Sequence, residues 1–244
     1  QPQMCIRDRF SATMPTEIAK LSKEILRNPV RIDMTPEEVT VAKIQQKVVH
    51  VKTAQKRAAL EHLLRDESLV RAIVFTRTKH GANKVARQLN ASGFVAEVIH
   101  GNKSQAARQR ALENFKSGDA WILVATDIAA RGIDIRAISH VFNYELPHEP
   151  ESYVHRIGRT ARAGAAGVAW ALVDASEVGR LKAVQRFTKL TLERVTLDLD
   201  LDAATRQLAP VKPEPKETNQ GNKSPPAKPP GSVSYTHLTL PTNA

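Results

Sequence analysis

Three arginines at third-residue spacing make the densest concentration of chemistry in the sequence. In YVHRIGRTARAG, Tyr153 to Gly164, the side chains of Arg156, Arg159 and Arg162 would gather on nearly one side of a helix. Three desolvated cations so close repel each other unless an anion lies between them. A solvated basic helix face is the plainer alternative. Ile157, Gly158 and the small residues of GRTARAG favour a packed bend instead. The pattern then predicts a phosphate clamp of arginine-finger type, which stabilises charge spreading over a transferring phosphoryl group.

Two weaker signals point to the same chemistry. ILVATDIAARGID, Ile122 to Asp134, runs from an apolar strand into a Thr-Asp turn and a loop with Gly132. Thr126 could offer a hydroxyl and backbone N–H groups to a phosphate, and Asp134 could accept hydrogen bonds from a ribose. The alternative is that Thr-Asp merely caps a helix. VFTRTKHGANK and IHGNKSQAARQR each place Gly, small or basic residues ahead of a helix. Helix N-terminal N–H groups with Lys or Arg nearby suit phosphates. His80, His100 and His155 lack metal-ligand spacing and read individually as structural or hydrogen-bonding residues.

The elements that must carry these motifs alternate along the chain. The strand candidates are KIQQKVVHV, RAIVFT, VAEVIH, AWILVAT, HVFNYEL and GVAWALV. Several are continuous apolar runs, as expected of parallel strands covered on both faces. Between them lie helical stripes: Leu60, Leu63 and Leu64; Ala82, Val85, Ala86 and Leu89; Ala107, Ala111, Leu112 and Phe115. The alternation predicts an α/β fold, a doubly wound parallel sheet whose ligands sit beyond the carboxyl ends of the strands. The motifs fall at those ends. Ahead of the sheet, Ile18, Leu21 and Ile25 mark a separate helix, which Asn28-Pro29 ends.

Composition narrows the classes further. The 244 residues carry 36 Lys and Arg against 25 Asp and Glu, a net charge of +11. That surplus favours a polyanionic partner. No apolar run is long enough for a membrane span, and no signal pattern opens the chain, so no membrane association is expected. A single cysteine, Cys5, excludes a disulfide framework and a cysteine-based zinc site and points to a reducing compartment, the cytoplasm. Residues 1–9 and 232–244 fit nothing beside them and read as non-native flanks, like translated adapter sequence. Residues 10–32 form a separate piece, 33–43 an acidic linker and 44–200 the sheet domain. Residues 201–231 read as a disordered, basic, Pro-rich tail.

In order, FSATMP, IVFTRTK, HGNKSQAAR, VATDIAARGID, VFNYELP and YVHRIGRTARAG resemble the second-half motifs of DEAD-box RNA helicases. TRTKHGANK followed by IHGNKSQ looks like the bacterial RhlE-type branch. The resemblance runs from Phe10 to Asp200, and it implies a RecA-like sheet, the helicase C-terminal domain. In that family two such domains close over ATP and single-stranded RNA. Carried over by motif, Arg159 and Arg162 look like the catalytic fingers that reach the γ-phosphate. Gly132 and Asp134 look like further nucleotide contacts, with Asp134 on the ribose. Arg77, Gly101, Arg108 and Thr126 look like contacts to the RNA backbone. Ser11, Ala12, Thr13 and His155 look like interdomain coupling.

Ala161 stands where the family more often has Gly, and Glu145 where it more often has Asp. The sequence contains no GxxxxGK[ST] and no DExD tetrapeptide. Any Mg²⁺ ligands would therefore lie in a missing first domain, and this chain reads as a monomeric second half, inactive alone. A DNA helicase or translocase of the same superfamily and a non-catalytic RNA-binding module are the rival readings. A nicotinamide-dependent dehydrogenase is disfavoured because no GxGxxG follows the first strand.

Overall fold

The structure is a computed structural model that describes Met14, residues 16–30, Ile32, residues 44–130, 138–161, 166–208 and Pro210. The chain divides into two compact units, Gln1–Ala209 and Pro210–Ala244. Within the second, only Pro210 is among the described residues. Both proposed flanks and the linker lie outside them.

The first unit opens with α1 (Thr16–Ile25), then β1 (Ile44–His50), α2 (Lys56–Leu63), β2 (Ala72–Phe75), α3 (Lys79–Ala91), β3 (Ala96–Ile99) and α4 (Gln105–Ser117). It continues through β4 (Ile122–Ala125), α5 (Asp127–Ala130), β5 (His140–Asn143), α6 (Pro150–Ile157), β6 (Gly167–Val173), α7 (Val178–Thr188), β7 (Glu193–Arg194) and α8 (Leu201–Gln207). The strands lie in the order β3-β4-β2-β5-β6-β1-β7, and every pairing is parallel. All six anticipated strands form, and the two-residue β7 adds an edge. The fold is a doubly wound parallel sheet, as the sequence predicts. Its order reverses around β2, so the loops after β2, β4 and β5 converge on one crevice.

Alternation within each strand sends side chains to both faces. Val49, Val74, Val124, Phe142 and Leu172 point to one side and bury Leu60 and Leu63 of α2 with Val85 and Leu89 of α3. Ile73, Phe75, Leu123 and Val141 point to the other, against Ala111 and Phe115 of α4 and Ala129 of α5. On that side Val48, Ala169 and Ala171 meet Tyr153 and Ile157 of α6 with Leu181 and Val184 of α7. Burial on both faces is what makes these strands read as unbroken apolar runs. α1 joins none of the core clusters, and its Ile18 and Leu21 are about half exposed.

One boundary differs from expectation. The composition predicts a tail from residue 201, whereas Leu201–Gln207 is helical. Asp200 caps it, accepting from the backbone N–H groups of Asp202 and Ala203 at 3.0 Å each. Leu201 packs on the core beside α2. Asp202 accepts from Gln55 at 2.7 Å and pairs with Lys52 at 3.3 Å. These are tertiary contacts, and a seven-residue helix has too little apolar periodicity to announce itself.

A buried ion cluster closes the carboxyl ends of β1, β5 and β6. Lys56 is ion-paired to Glu177, lies 3.5 Å from Asp174 and donates to the Tyr144 carbonyl at 3.0 Å. The other Glu177 oxygen accepts from the Leu146 N–H at 3.0 Å. Burial pushes the Asp174 carboxyl up. Hydrogen bonds from Ser176 and Thr53 and the Lys56 charge outweigh that and hold it at about 2.

Two predictions follow from this architecture. A carboxylate with a depressed pKa stabilises the fold above its unfolded value and loses that contribution as pH falls through its folded value. Asp174→Asn should therefore lower stability near neutral pH and flatten the decline from pH ~4 to pH ~2, read by denaturant titration at each pH. An unchanged acid profile would contradict the assignment. At the start of β6, a Cβ on Gly167 would overlap the Thr160 hydroxyl and come within 2.8 Å of the Ala161 backbone nitrogen. Gly167→Ala should cost about 1–3 kcal/mol by thermal unfolding.

Candidate functional site

The crevice at the strand-order reversal is lined by Phe75, Asp127, Ala130, Ser152, His155, Arg156 and Arg159. Its floor is a desolvated cation. Arg156, in the last turn of α6, is 1 % exposed, the largest fully buried side chain among the described residues. Its Nε and one Nη donate to the two oxygens of Asp127 at 2.6 and 2.8 Å. The other Nη donates to Asn143 Oδ1 at 3.1 Å and to the Glu145 carbonyl at 2.6 Å. The guanidinium also lies 5.1 Å from the Phe75 ring centre. Only arginine offers a rigid fork that can satisfy acceptors from two loops at once.

This corrects the three-arginine clamp. The helix ends at Ile157, so the third-residue spacing does not continue on one helical face. The anion required beside Arg156 is the chain's own Asp127, and Arg156 is a structural fork rather than a finger. Arg159 is different. It is half buried on the crevice wall, with Nε donating to the His155 carbonyl at 3.2 Å. His155 is exposed on the same wall. Arg162, Gly132, Asp134, Ser11, Ala12 and Thr13 lie outside the described residues.

The bend that carries Arg159 is held by the fold. Thr160 donates its hydroxyl to the Ile138 carbonyl at 2.5 Å and lies 3.1 Å from the Ser139 carbonyl oxygen. Ala161 has φ of 54°, in the left-handed region. Glycine takes that conformation freely, whereas alanine costs roughly 1–2 kcal/mol. The Ala161 departure from the family pattern thus acts on the backbone.

A second group lines the carboxyl edge of three neighbouring strands. Gly101 follows β3, Thr126 follows β4 and Arg77 follows β2. Adjacent strands step by about 4.8 Å, so these loops form a row beside the crevice. A Cβ on Gly101 would meet nothing, which leaves the backbone there open to close approach. Thr126 lies just before α5, and its carbonyl accepts from Ala129 and Ala130 at 3.1 and 3.0 Å. It begins a helix as well as facing the row. Thr78 caps α3, accepting from the Gly81 N–H at 2.9 Å, and Ser104 caps α4, accepting from the Ala107 N–H at 3.2 Å. Neither helix has an acidic residue in its first turn, so both N-termini suit anions. Arg108, in the first turns of α4, is half buried with Nη1 3.5 Å from Gln105 Oε1.

Three residues here escaped the motif reading. Asp127 looked like a helix-capping partner, and Asn143 looked like a strand residue. Glu145 accepts from the Arg77 backbone N–H at 2.8 Å and from its guanidinium at 3.1 Å. His100 takes a structural part. Its Nδ1 accepts from the Asn102 N–H at 3.3 Å, so Nε2 donates to Asn83 Oδ1 at 2.9 Å, joining the β3 loop to α3. Among the described residues no cluster of His, Cys, Asp or Glu could hold a metal ion, and no helix is long and apolar enough to cross a membrane.

Removing the anion from beneath Arg156 leaves a buried cation without its counter-charge. The Asp127 side chain is 33% exposed, so water screens part of the loss, and Asp127→Asn should destabilise the domain by about 1–3 kcal/mol, measured by urea unfolding. Arg156→Lys should rescue poorly, because an ammonium cannot fork across two oxygens. Wild-type stability in both variants would show that this pair does not organise the crevice.

The fold has counterparts among known proteins. The model of the helicase conserved C-terminal domain matches residues 55–164. The DEAD-box ATP-dependent RNA helicase CshA of Bacillus cereus is 44% identical over 203 residues, covering 82% of this chain and 39% of that relative. The chain thus spans well under half the length of such relatives. The E. coli DEAD-box protein SrmB, solved bound to the regulator of ribonuclease activity A, is 35% identical with a TM-score of 0.59. That match covers 71% of this chain and 98% of the SrmB chain. S. cerevisiae Dbp5 bound to RNA and ADP BeF3 is 33% identical with a TM-score of 0.72, covering 81% of this chain and 52% of Dbp5. At 35% identity over nearly the whole of the SrmB chain, and with the C-terminal domain model matched, the chain belongs to the DEAD-box helicase family and carries its conserved C-terminal domain.

Proposed function

We propose that this chain is the second RecA-like domain of an ATP-dependent RNA helicase, working with a first RecA-like domain to separate short RNA duplexes locally. The observation that carries the reading is the placement of His155 and Arg159 on the crevice at the strand-order reversal, beside the row Gly101, Thr126 and Arg77. One wall suits nucleotide phosphates and the other an RNA backbone. Arg159 and Arg162 stabilise charge on the γ-phosphate of ATP, and Gly132 and Asp134 hold the nucleotide, Asp134 at its ribose. Mg²⁺ is held by carboxylates of the first domain. Arg77, Gly101, Arg108 and Thr126 take phosphates and sugars, which carry no base information directly. His155 and Ser11, Ala12 and Thr13 transmit closure between the domains. The protein acts as a monomer in the cytoplasm. TRTKHGANK and IHGNKSQ support the RhlE-type branch.

In the two-domain protein, Arg159→Ala should lower RNA-stimulated ATP turnover by about 10³–10⁵, and Arg159→Lys should recover little. The 244-residue chain alone should release no phosphate above a protein-free control. Near-wild-type turnover in Arg159→Ala would overturn the finger assignment. Stimulation by single-stranded DNA but not RNA would favour the DNA translocase reading. In a salt titration followed by RNA anisotropy, log affinity should fall with log salt by about 0.7 per neutralised phosphate. Arg108→Ala should flatten that slope by one such step.

A further inference from the structure

Among the described residues, Arg77 is the one expected RNA-binding cation shown with its guanidinium ion-paired to a carboxylate. Glu145 Oε1 takes one Nη of Arg77 at 3.1 Å, while Oε2 takes the Arg77 backbone N–H at 2.8 Å. The two side chains are about a quarter exposed, 25% and 23%, so the pair sits at the edge of the row and not beneath it. Oε2 also lies 3.6 Å from where a Gly81 Cβ would be, under the first turn of α3, whose dipole favours a negative charge.

The backbone of Glu145 is fixed from both sides. The preceding Tyr144 carbonyl accepts from buried Lys56 at 3.0 Å, and the following Leu146 N–H donates to buried Glu177 at 3.0 Å. The N–H of Glu145 donates to the Phe75 carbonyl at 3.3 Å, and its own carbonyl accepts from Arg156 at 2.6 Å. A carboxylate on so constrained a backbone can hold a flexible arginine in one orientation. The pair uses one Nη of a fork with five N–H donors, so the same guanidinium can still meet a phosphate.

We propose that Glu145 is a positioning residue that sets the Arg77 guanidinium for an RNA phosphate. The proposal rests on the RNA-backbone reading of Arg77 given above. Two effects of the carboxylate oppose each other. Its charge repels RNA, so electrostatics alone has Glu145→Gln bind RNA more tightly. As the anchor of Arg77, its loss weakens binding, because a Gln amide turns one of the two acceptors into a donor facing a donor. The sign of the change separates the two.

The test uses the 244-residue chain, a short mixed-sequence single-stranded RNA and fluorescence anisotropy across a salt series. Glu145→Gln should weaken binding by about tenfold, the scale of a lost hydrogen bond to a charged group. Its log–log salt slope should shrink by about 0.7, one phosphate contact on a single strand. Glu145→Asp, which keeps the carboxylate, should retain the wild-type slope and so exclude a general folding defect. In an Arg77→Ala background, Glu145→Gln should no longer weaken binding and should leave it equal or tighter. Tighter binding by Glu145→Gln with Arg77 present, or an unchanged salt slope, would overturn the proposal while leaving the RNA site standing. No effect of Arg77→Ala on affinity or slope would instead remove the RNA-backbone reading of Arg77, and the positioning role with it.

Discussion

A guanidinium removed from water must be met by acceptors, and the crevice of this domain is built around meeting one. Arg156 is buried to within 1 %. Its acceptors come from Asp127 after β4 and from Asn143 and Glu145 at the end of β5, with the Phe75 ring of β2 against the fork. Those strands are the neighbours of the strand-order reversal. One side chain thus draws together the loops that bound the site. The same residues could not be replaced piecemeal, because each acceptor removed leaves a desolvated donor or charge behind.

The site's two walls inherit their geometry from that fork. α6 delivers Arg156 downward into the sheet, and the chain then leaves the helix at Gly158 and turns at Thr160 and Ala161. This exit places Arg159 on the crevice wall while Arg156 stays beneath it. On the other wall, Glu145 offers its carbonyl to Arg156 and its carboxylate to Arg77. The buried cation and the row of loops after β3, β4 and β2 are therefore connected through one residue. The Lys56–Glu177 pair fixes the segment on either side of that residue, so a fully buried ion pair supports the partly exposed one at Arg156 and Asp127. A buried pair such as Lys56–Glu177 contributes modestly to net stability but penalises any arrangement that separates it, which suits a site that must keep one geometry.

Much of the fold could be read in the sequence because its signals are local. RAIVFT, AWILVAT and HVFNYEL are apolar on both faces, and only a covered parallel sheet accommodates that. The stripes at Ala82, Val85, Ala86 and Leu89 and at Leu60, Leu63 and Leu64 gave the face each helix buries, because helical periodicity is a property of consecutive residues. The motif order placed Arg77, Gly101 and Thr126 at carboxyl strand ends for the same reason, whereas Arg159 follows α6 on the way into β6. α8 has little pattern of its own and is fixed by contacts from Asp202 to Gln55 and Lys52, which no local signal announces.

Charge pairing could not be read that way. Third-residue spacing made Arg156, Arg159 and Arg162 equivalent, and nothing local distinguished the one that is buried. Arg156 finds Asp127, 29 positions away, only because the order β4-β2-β5 brings their loops together. Lys56 finds Glu177 across 121 positions, and Arg77 finds Glu145 across 68. The sequence by itself determined which segments are strands and helices and which chemical groups stand at their ends. The tertiary structure alone decided which cations are neutralised from within and which face the crevice, because Coulombic partners depend on distance through space and strand order sets that distance.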